Sequence, residues 1–196
     1  MYKSKSRKKT EQMNQITAEA RSCLQCELGE NRKNVVVGSG SLDGKIVLIG
    51  EAPGRKEDES GLPFVGSAGK LLNSLLESAG LKREDIFIMN ILKCRPPSNR
   101  RPKKAEIKAC EGYLMRQLEI IKPKVIAPMG NSALSYFQSR YGFGDDLIGD
   151  AHGKVYEVNT SWGKVKFIPL YHPAAAIYRR YLLGDLEEDT KKLADL

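Results

Sequence analysis

One stretch, residues 45–80, constrains the fold of this chain more than any other. Residues 45–50 form an apolar run, which predicts a strand that is buried on both faces of a sheet. A polar segment containing Pro53 and Gly54 follows, and apolar residues at helical spacing then predict a helix from Ser67 to Gly80. The loop between them is longer than a simple connection requires, so we expect it to be functional.

The rest of the chain repeats this alternation of strands and helices. Further buried strands are predicted at residues 85–90 and 125–129, and a hairpin at residues 154–168 leads into a last core strand ending at Tyr171. With right-handed crossovers, this pattern predicts a three-layer α/β/α fold with a central four-stranded parallel sheet. Residues 1–10 are basic and lack apolar periodicity, which predicts a disordered arm before a single domain at residues 11–196.

Charge and composition narrow the function. With 32 basic and 24 acidic residues the chain carries a net charge of +8, which favours a polyanionic partner, with nucleic acid first, over a merely soluble basic surface. No apolar run is long enough for a membrane span, and the N-terminus lacks the apolar region of a signal peptide. We therefore expect a cytoplasmic protein without a membrane partner, in which four cysteines are metal ligands rather than disulfides.

Polar residues follow the predicted strands at the points where the strands end. Glu51, Asn90 and His172 each occupy such a position, and the carboxyl ends of parallel strands meet at one edge of a sheet. Glutamate and histidine are unusual as caps in these positions, so we interpret them as members of a catalytic or binding pocket. Asn131 stands where a helix N-cap belongs and is interpreted as a cap.

The cysteines form a second constellation. Cys23 and Cys26 make a C-x-x-C motif, while Cys94 and Cys110 flank fifteen residues that begin as a basic, proline-rich loop. Four thiolates suit a tetrahedral zinc site or one [4Fe–4S] cluster, and the spacing does not decide between them. Four unrelated buried cysteines are the remaining alternative. Either centre would join the N-terminal segment to the basic loop.

Taken together, these motifs resemble the family-4 uracil-DNA glycosylases, the iron–sulfur class of bacteria and archaea. The resemblance covers nearly the whole chain from Cys23 onward. Besides Asn90, it is carried by residues 50–54 (GEAPG), 57–58 (ED), 61–66 (GLPFVG), 94–97 (CRPP) and 172–175 (HPAA). It implies a uracil-DNA glycosylase-like fold, a [4Fe–4S] cluster on the four cysteines and removal of uracil during base excision repair.

Two positions relate the chain to neighbouring families. Family-5 enzymes carry an apolar residue where Glu51 stands, so Glu51 favours family 4. Family-1 enzymes carry a water-activating aspartate where this chain has Ala52, so that position supplies no such group here. The main alternative is a non-enzymatic Cys₄ zinc protein that binds nucleic acid. The glycosylase-like fold as a module of another repair or replication protein is a third interpretation.

Base removal assigns roles to the pocket residues. A base within a duplex must be flipped into a pocket, stacked on a ring and recognised along its edge. We expect Phe64 to provide the ring, Asn90 to recognise uracil, His172 to donate to uracil O2, and Glu51 to hold the attacking water or offset the sugar's positive charge. The predicted substrate-binding residues are Glu51, Ala52, Pro53, Gly54, Phe64, Asn90 and His172.

Basic residues in two segments are predicted to bind the DNA backbone. One segment is the loop after Cys94 and the other follows the His172 motif. There, Arg179 and Arg180 together with Tyr178 and Tyr181 are candidates to fill the gap left by a flipped base, and a solvated helix face is the alternative. The predicted DNA-binding residues are Arg95, Arg100, Arg101, Lys103, Lys104, Arg179 and Arg180. We expect a nucleoid-associated monomer that acts on uracil-containing single- or double-stranded DNA, with replication or repair proteins as candidate partners.

Overall fold

A central sheet organises the chain in the computed structural model, which describes the backbone of residues 2–196 and the side chains of residues 6–196. The strands are β1 (Ser39–Gly40), β2 (Ile46–Gly50), β3 (Phe87–Asn90), β4 (Val125–Pro128), β5 (Tyr156–Thr160) and β6 (Gly163–Phe167). Their order across the sheet is β1-β3-β2-β4-β6-β5.

Four of these strands, β3, β2, β4 and β6, run parallel, which confirms the predicted core of the sheet. The complete sheet is mixed rather than purely parallel, because β1 and β5 are antiparallel to their neighbours at the two edges. β1 has only two residues, Ser39 and Gly40, so it leaves no apolar pattern in the sequence. The sequence predicted a separate core strand after the hairpin. In the structure, the second strand of the hairpin, β6, is itself the fourth parallel strand. In the segment after it, Leu170 forms an isolated bridge to Met129.

Helices cover both faces of the sheet. Their bounds are α1 (Tyr2–Arg21), α2 (Leu28–Asn31), α3 (Arg55–Ser60), α4 (Ser67–Ser78), α5 (Lys104–Ile121), α6 (Asn131–Tyr141), α7 (Ile148–Ala151), α8 (Pro173–Tyr178) and α9 (Leu183–Ala194). Leu118 of α5 and Phe137 of α6 belong to one buried cluster, whereas Leu72 of α4 and Leu186 of α9 belong to the other. The predicted α/β/α layering is therefore confirmed. Within residues 2–196, no helix combines the length and apolar character that crossing a membrane requires.

The prediction of a disordered arm at residues 1–10 is wrong for the part that the structure describes, because α1 begins at Tyr2. Lysine and arginine are good helix formers, so the basic segment simply extends the helix whose buried residues include Met13 and Ile16. Lys9 fixes the extension to the domain, since its Nζ donates to the Leu42 carbonyl at 3.0 Å and pairs with Asp43 Oδ1 at 2.7 Å. Met1 lies outside the described residues.

The parallel strands bring the predicted site residues to one edge. Gly50 and Asn90 are paired at the ends of β2 and β3, and Met129, just after β4, pairs with Leu170 shortly before His172. The long loop after β2 contains the short helix α3, which ends where Gly61 adopts a left-handed φ of 74°. The loop thereby turns back, so that residues 62–66 return to the edge of the sheet before α4 begins.

Candidate active site

A cleft of about 800 Å³ opens at the carboxyl edge of the parallel strands. This is the expected place for a ligand in an open α/β sheet. The structure brings together in its lining all residues that the sequence predicted to bind the substrate: Glu51, Ala52, Pro53, Gly54, Phe64, Asn90 and His172.

Asn90, which lines this cleft, carries a buried hydrogen-bond acceptor. The residue is 2% exposed, and its Oδ1 has no hydrogen-bond partner among the residues that the structure describes. A Cβ atom on the paired Gly50 would lie only 2.4 Å from this oxygen, so a larger residue there would have to displace the amide. An unpaired buried acceptor costs about 1–3 kcal/mol. A ligand that donates a hydrogen bond would remove that cost.

Phe64 occupies a strained position at the wall of the cleft. Its φ of 52° is unusual for an aromatic residue, and its buried ring stacks on the ring of His172 with centroids 5.6 Å apart. Gly69 of α4 permits this conformation, because a Cβ atom there would lie 1.8 Å from the Phe64 carbonyl oxygen. Such strain persists only where the surroundings fix it.

Two charged side chains hold the backbone on either side of Phe64. Glu57 Oε1 accepts from the N–H groups of Val65 and Gly66, both at 2.9 Å. Arg83 Nη2 donates to the Pro63 carbonyl at 2.8 Å. The aromatic platform is therefore fixed before any ligand binds.

His172 is the N-cap of α8, contrary to the expectation that it does not serve as a cap. Its Nδ1 accepts from the Ala174 N–H at 3.2 Å. A backbone N–H can only donate, so Nδ1 is the unprotonated nitrogen and the proton lies on Nε2. Burial lowers the pKa of His172 to about 4, although the nearby Glu57 carboxylate opposes this shift. The cleft thus contains a neutral imidazole with one available N–H donor.

This arrangement predicts the pH behaviour of His172. An unfolded chain protonates this ring near pH 6.5 and the folded chain only near pH 4, so stability is lost as the pH falls between these values. The chain has two histidines, so ¹⁵N NMR of the imidazoles can separate them. We expect His172 to remain neutral and protonated at Nε2 from pH 8 to about pH 5. Titration near pH 6.5, or a proton on Nδ1, would contradict this assignment.

Glu51 is held by the helix that follows β4. Ser132, in the first turn of α6, donates its hydroxyl to Glu51 Oε2. The N-terminus of a helix also favours a neighbouring negative charge. Ala52, the next residue of the turn, supplies no titratable group to the cleft.

The turn at residues 51–54 has fewer free N–H groups than its sequence suggests. Pro53 has none, and the Gly54 N–H donates to Glu57 Oε2 at 3.1 Å. Ala52 therefore carries the one N–H of residues 52–54 that remains for a ligand. The interpretation of Asn131 as an N-cap is wrong, because Gly130 is the cap and Asn131 Oδ1 instead accepts from the Ile148 N–H at 2.8 Å.

The basic residues divide into exposed side chains and side chains with internal partners. Arg100 donates to both carboxylate oxygens of buried Glu106, and this hydrogen bonding holds the pKa of Glu106 below its usual value. Lys103 Nζ lies 3.3 Å from Glu27 Oε2, and Arg95 Nε donates to Asn99 Oδ1 at 2.8 Å. The exposed side chains without such an assignment are Arg101, Lys104, Arg179 and Arg180, of which Arg101 and Arg179 line the cleft.

This division refines the prediction for DNA binding. Replacing Arg101 and Lys104 together by glutamine is expected to weaken binding to every DNA sequence and to lower the salt-dependence slope by about 2. Arg100→Gln should mainly destabilise the loop, because it removes the cation that pairs with the buried Glu106 carboxylate. Titrations of DNA at several salt concentrations measure the slope.

A matched control is a variant with Lys45 and Lys124 both replaced by glutamine, which removes the same charge. These exposed lysines precede β2 and β4 and so lie at the opposite edge of the sheet. Equal slopes for the two double variants would place the DNA surface elsewhere.

All four cysteines are free thiols that line one cavity between α1, α5 and the segment after β3. Two sulfurs accept hydrogen bonds, Cys94 Sγ from Arg32 Nη1 at 3.4 Å and Cys110 Sγ from the Lys93 N–H at 3.3 Å. Within the described residues, no three histidine, cysteine or acidic side chains are arranged to hold a single metal ion. The donor set and the N–H groups aimed at sulfur fit a multi-iron cluster, whose thiolates bind different irons.

Comparison with known proteins identifies the family. The sequence model of the Uracil DNA glycosylase superfamily matches residues 37–194. The chain belongs to this superfamily. It is 48% identical to a type-4 uracil-DNA glycosylase of Archaeoglobus fulgidus over 95% of this chain and 94% of that protein. For the type-4 enzymes of Saccharolobus solfataricus and Thermotoga maritima, the identities are 46% (92% of this chain, 84% of that protein) and 43% (91% and 93%).

These relatives place the chain in the type-4 group of the uracil DNA glycosylase superfamily. Sequence reasoning nevertheless missed three residues that shape its cleft. The sequence singled out Glu57 only as part of the 57–58 motif, yet its carboxylate accepts from three backbone N–H groups. Ser132 and Arg83 were not singled out at all, because a serine in a helical first turn and an arginine before a strand are common surface features. Only their contacts with Glu51 and Pro63 reveal them.

Proposed function

We propose that this chain is a uracil-DNA glycosylase that flips uracil out of DNA and hydrolyses its N-glycosidic bond, leaving an abasic site for base excision repair. The observation that carries the proposal is the unpartnered Asn90 Oδ1, buried in the same cleft as a neutral imidazole donor. The similarity to type-4 enzymes over more than nine tenths of the chain supports it.

Base recognition rests on Asn90 and Phe64. Uracil carries an N3–H donor beside the O4 acceptor, which matches an amide that accepts through Oδ1 and donates through Nδ2. The Phe64 ring supplies a stacking surface for the flipped base. Close packing of Gly50 against the Asn90 amide supports a fixed orientation of that side chain. The reversed pattern of cytosine would then place donor against donor.

Bond cleavage rests on His172. As the bond between C1′ and N1 breaks, its electron pair passes to the base and negative charge develops at O2. The neutral imidazole can donate its Nε2–H to that oxygen, and one such donor commonly contributes about 3 kcal/mol to transition-state stabilisation. Capping of α8 fixes the ring so that the donor is already oriented.

Glu51 is assigned to the sugar side of the reaction. Its carboxylate, oriented by Ser132, can hold the water whose oxygen bonds to C1′ and can accept the proton that this water releases. The same negative charge offsets the positive charge of the oxocarbenium-like sugar. Ala52 supplies no second carboxylate next to Glu51. We therefore assign both roles, holding the water and offsetting the charge of the sugar, to Glu51.

The rim of the cleft fits a DNA strand. Arg101 and Arg179 line it and can contact phosphates. Tyr181 and Leu147 also line it and are 74% and 68% exposed, so these side chains are available to fill the space of the flipped nucleotide. That the protein acts on DNA as a monomer in the cytoplasm remains part of the proposal.

For the cofactor we assign a [4Fe–4S] cluster to Cys23, Cys26, Cys94 and Cys110. When bound, such a cluster cross-links the segment after α1 to the loop that begins at Cys94, a structural contribution. No described contact favours the non-enzymatic zinc alternative, which would leave the buried Asn90 acceptor without a ligand.

Release of the free base tests the proposal. The purified protein is incubated with single- and double-stranded oligonucleotides that contain one uracil, and mass spectrometry measures the products. We expect free uracil and an oligonucleotide with one abasic site, from protein that contains iron and absorbs broadly in the visible range. Zinc-containing protein that binds DNA without base release would favour the alternative.

A further inference from the structure

A buried lysine lies between the cysteine cavity and the base pocket. Lys93 is 1% exposed, although lysine side chains usually extend their ammonium group to water. Its Nζ donates to the Asn90 carbonyl at 2.9 Å and lies 3.6 Å from Met89 Sδ. Neither contact is a carboxylate, so this ammonium group is buried without an ordinary ion pair at those contacts. A buried charge of this kind requires compensation from another source.

The backbone of the same residue belongs to the cysteine cavity. The Lys93 N–H donates to Cys110 Sγ at 3.3 Å, and Cys94 follows directly in the chain. The Lys93 carbonyl accepts from the Val36 N–H at 2.8 Å, which fixes its backbone to the segment after α2. Lys93 therefore contacts a cysteine sulfur through its backbone and the base-recognising residue through its side chain.

The charge of a loaded centre supplies the missing compensation. Four thiolates make a [4Fe–4S] centre anionic, and two cationic side chains, Lys93 and Arg32, line the cavity. Arg32 donates to Cys94 Sγ at 3.4 Å, to the Cys23 carbonyl and to the Arg21 carbonyl. Arg32 thus contacts two cysteines and the end of α1, whereas Lys93 contacts a cysteine and Asn90.

We propose that Lys93 is a positioning residue that couples the cysteine-held centre to uracil recognition. The anionic centre stabilises its buried ammonium group, which in turn fixes the Asn90 carbonyl at the end of β3 and so the Asn90 amide in the cleft. The centre then has a second role besides cross-linking, because it supports the geometry of the base pocket. The inference rests on the proposed function, since it concerns the binding of uracil.

Lys93→Met tests the coupling, because methionine keeps most of the volume and removes the ammonium group. We expect folded, iron-containing protein whose affinity for free uracil falls by about tenfold. Loss of a nearby positive charge should also move the reduction potential of the cluster to more negative values. Arg32→Gln should move the potential in the same direction while changing uracil affinity less. Lys164→Met, an exposed hairpin lysine, is the control that should change neither.

The inference would be overturned if Lys93→Met bound uracil with wild-type affinity and had an unchanged reduction potential. Excision of uracil by the wild-type protein would in that case leave the proposed function intact. No excision by the wild-type protein would instead overturn the proposed function.

If Lys93→Met does not fold, hydrogen exchange on the wild-type chain before and after oxidative removal of iron gives the answer. Loss of protection confined to the end of β3 supports the coupling. Equal loss in β3 and β4, or none, contradicts it.

Discussion

His172→Ala is expected to lower the single-turnover rate of uracil excision by about a hundredfold or more, while affinity for uracil-containing DNA stays nearly unchanged. The reason is that the Nε2–H faces charge that develops on the base only as the bond breaks. Burial keeps the ring neutral, with its pKa lowered to about 4, so the lost interaction is a neutral hydrogen bond and not an ion pair. Rapid-quench kinetics with enzyme in excess measure the chemical step directly.

His172→Asn provides the matched control, since its amide can cap α8 and still donate. We expect its rate to lie between those of the wild type and His172→Ala. If all three rates agree, His172 does not take part in bond cleavage. If His172→Ala instead loses DNA affinity and keeps its rate, the residue serves binding.

Asn90 variants should change which base is removed. Asn90→Asp replaces the amide donor by an acceptor or, when protonated, by a movable O–H donor. We expect this variant to lose most uracil excision and to gain weak cytosine excision. The mismatch that normally excludes cytosine arises from unpaired buried groups, at about 1–3 kcal/mol each. Paired duplexes that contain one uracil or one cytosine, analysed for released base, measure both activities.

Asn90→Ala tests whether the hydrogen bonds of the amide, rather than the volume of the pocket, determine which base is removed. It should lose uracil excision without gaining any activity on cytosine, because alanine offers no hydrogen bond to either base. In the described part of the chain, Asn90 Oδ1 has no hydrogen-bond partner, so the substitution breaks no bond to this atom. Thermal unfolding should therefore show that the variant is folded. Uracil excision at the wild-type rate would mean that another group recognises the base.

Much of the fold follows from the sequence, because buried parallel strands leave an unmistakable apolar pattern. β2, β3 and β4 were predicted to within a residue or two, and their polar ends then had to meet at one edge. The antiparallel edge strand β1 could not be predicted. Its two residues gain their strand conformation from pairing with Ile88 and Phe87, not from any local preference.

The site was predicted through residue types that the fold does not need at strand ends. Asn90, Glu51 and His172 were found this way. The residues that orient them were not, because an orienting contact joins positions far apart in the chain. Glu51 and Ser132 are separated by 81 positions, and Arg83 lies 20 positions after the Pro63 carbonyl that it holds. No local pattern encodes such a pair.

The basic segments show the opposite limitation. From the sequence, more of their side chains look free to bind DNA than the structure leaves unpaired. Arg100 and Lys103 look like free cations, yet both are engaged with acidic side chains. Likewise, residues 2–10 look disordered from their charge, although their helix continues into a buried stripe. In both cases the charged residues are evident from the sequence, but the residues that they contact are not.

One measurement tests the central claim most directly. Two duplexes that differ only in one base, uracil or cytosine, are incubated with the wild-type protein and then treated with alkali, which cleaves DNA at abasic sites. We predict a single cut at the uracil position, none in the cytosine duplex, and at most slow cutting with His172→Ala. An intact uracil duplex, treated with folded, iron-containing wild-type protein, would contradict the account.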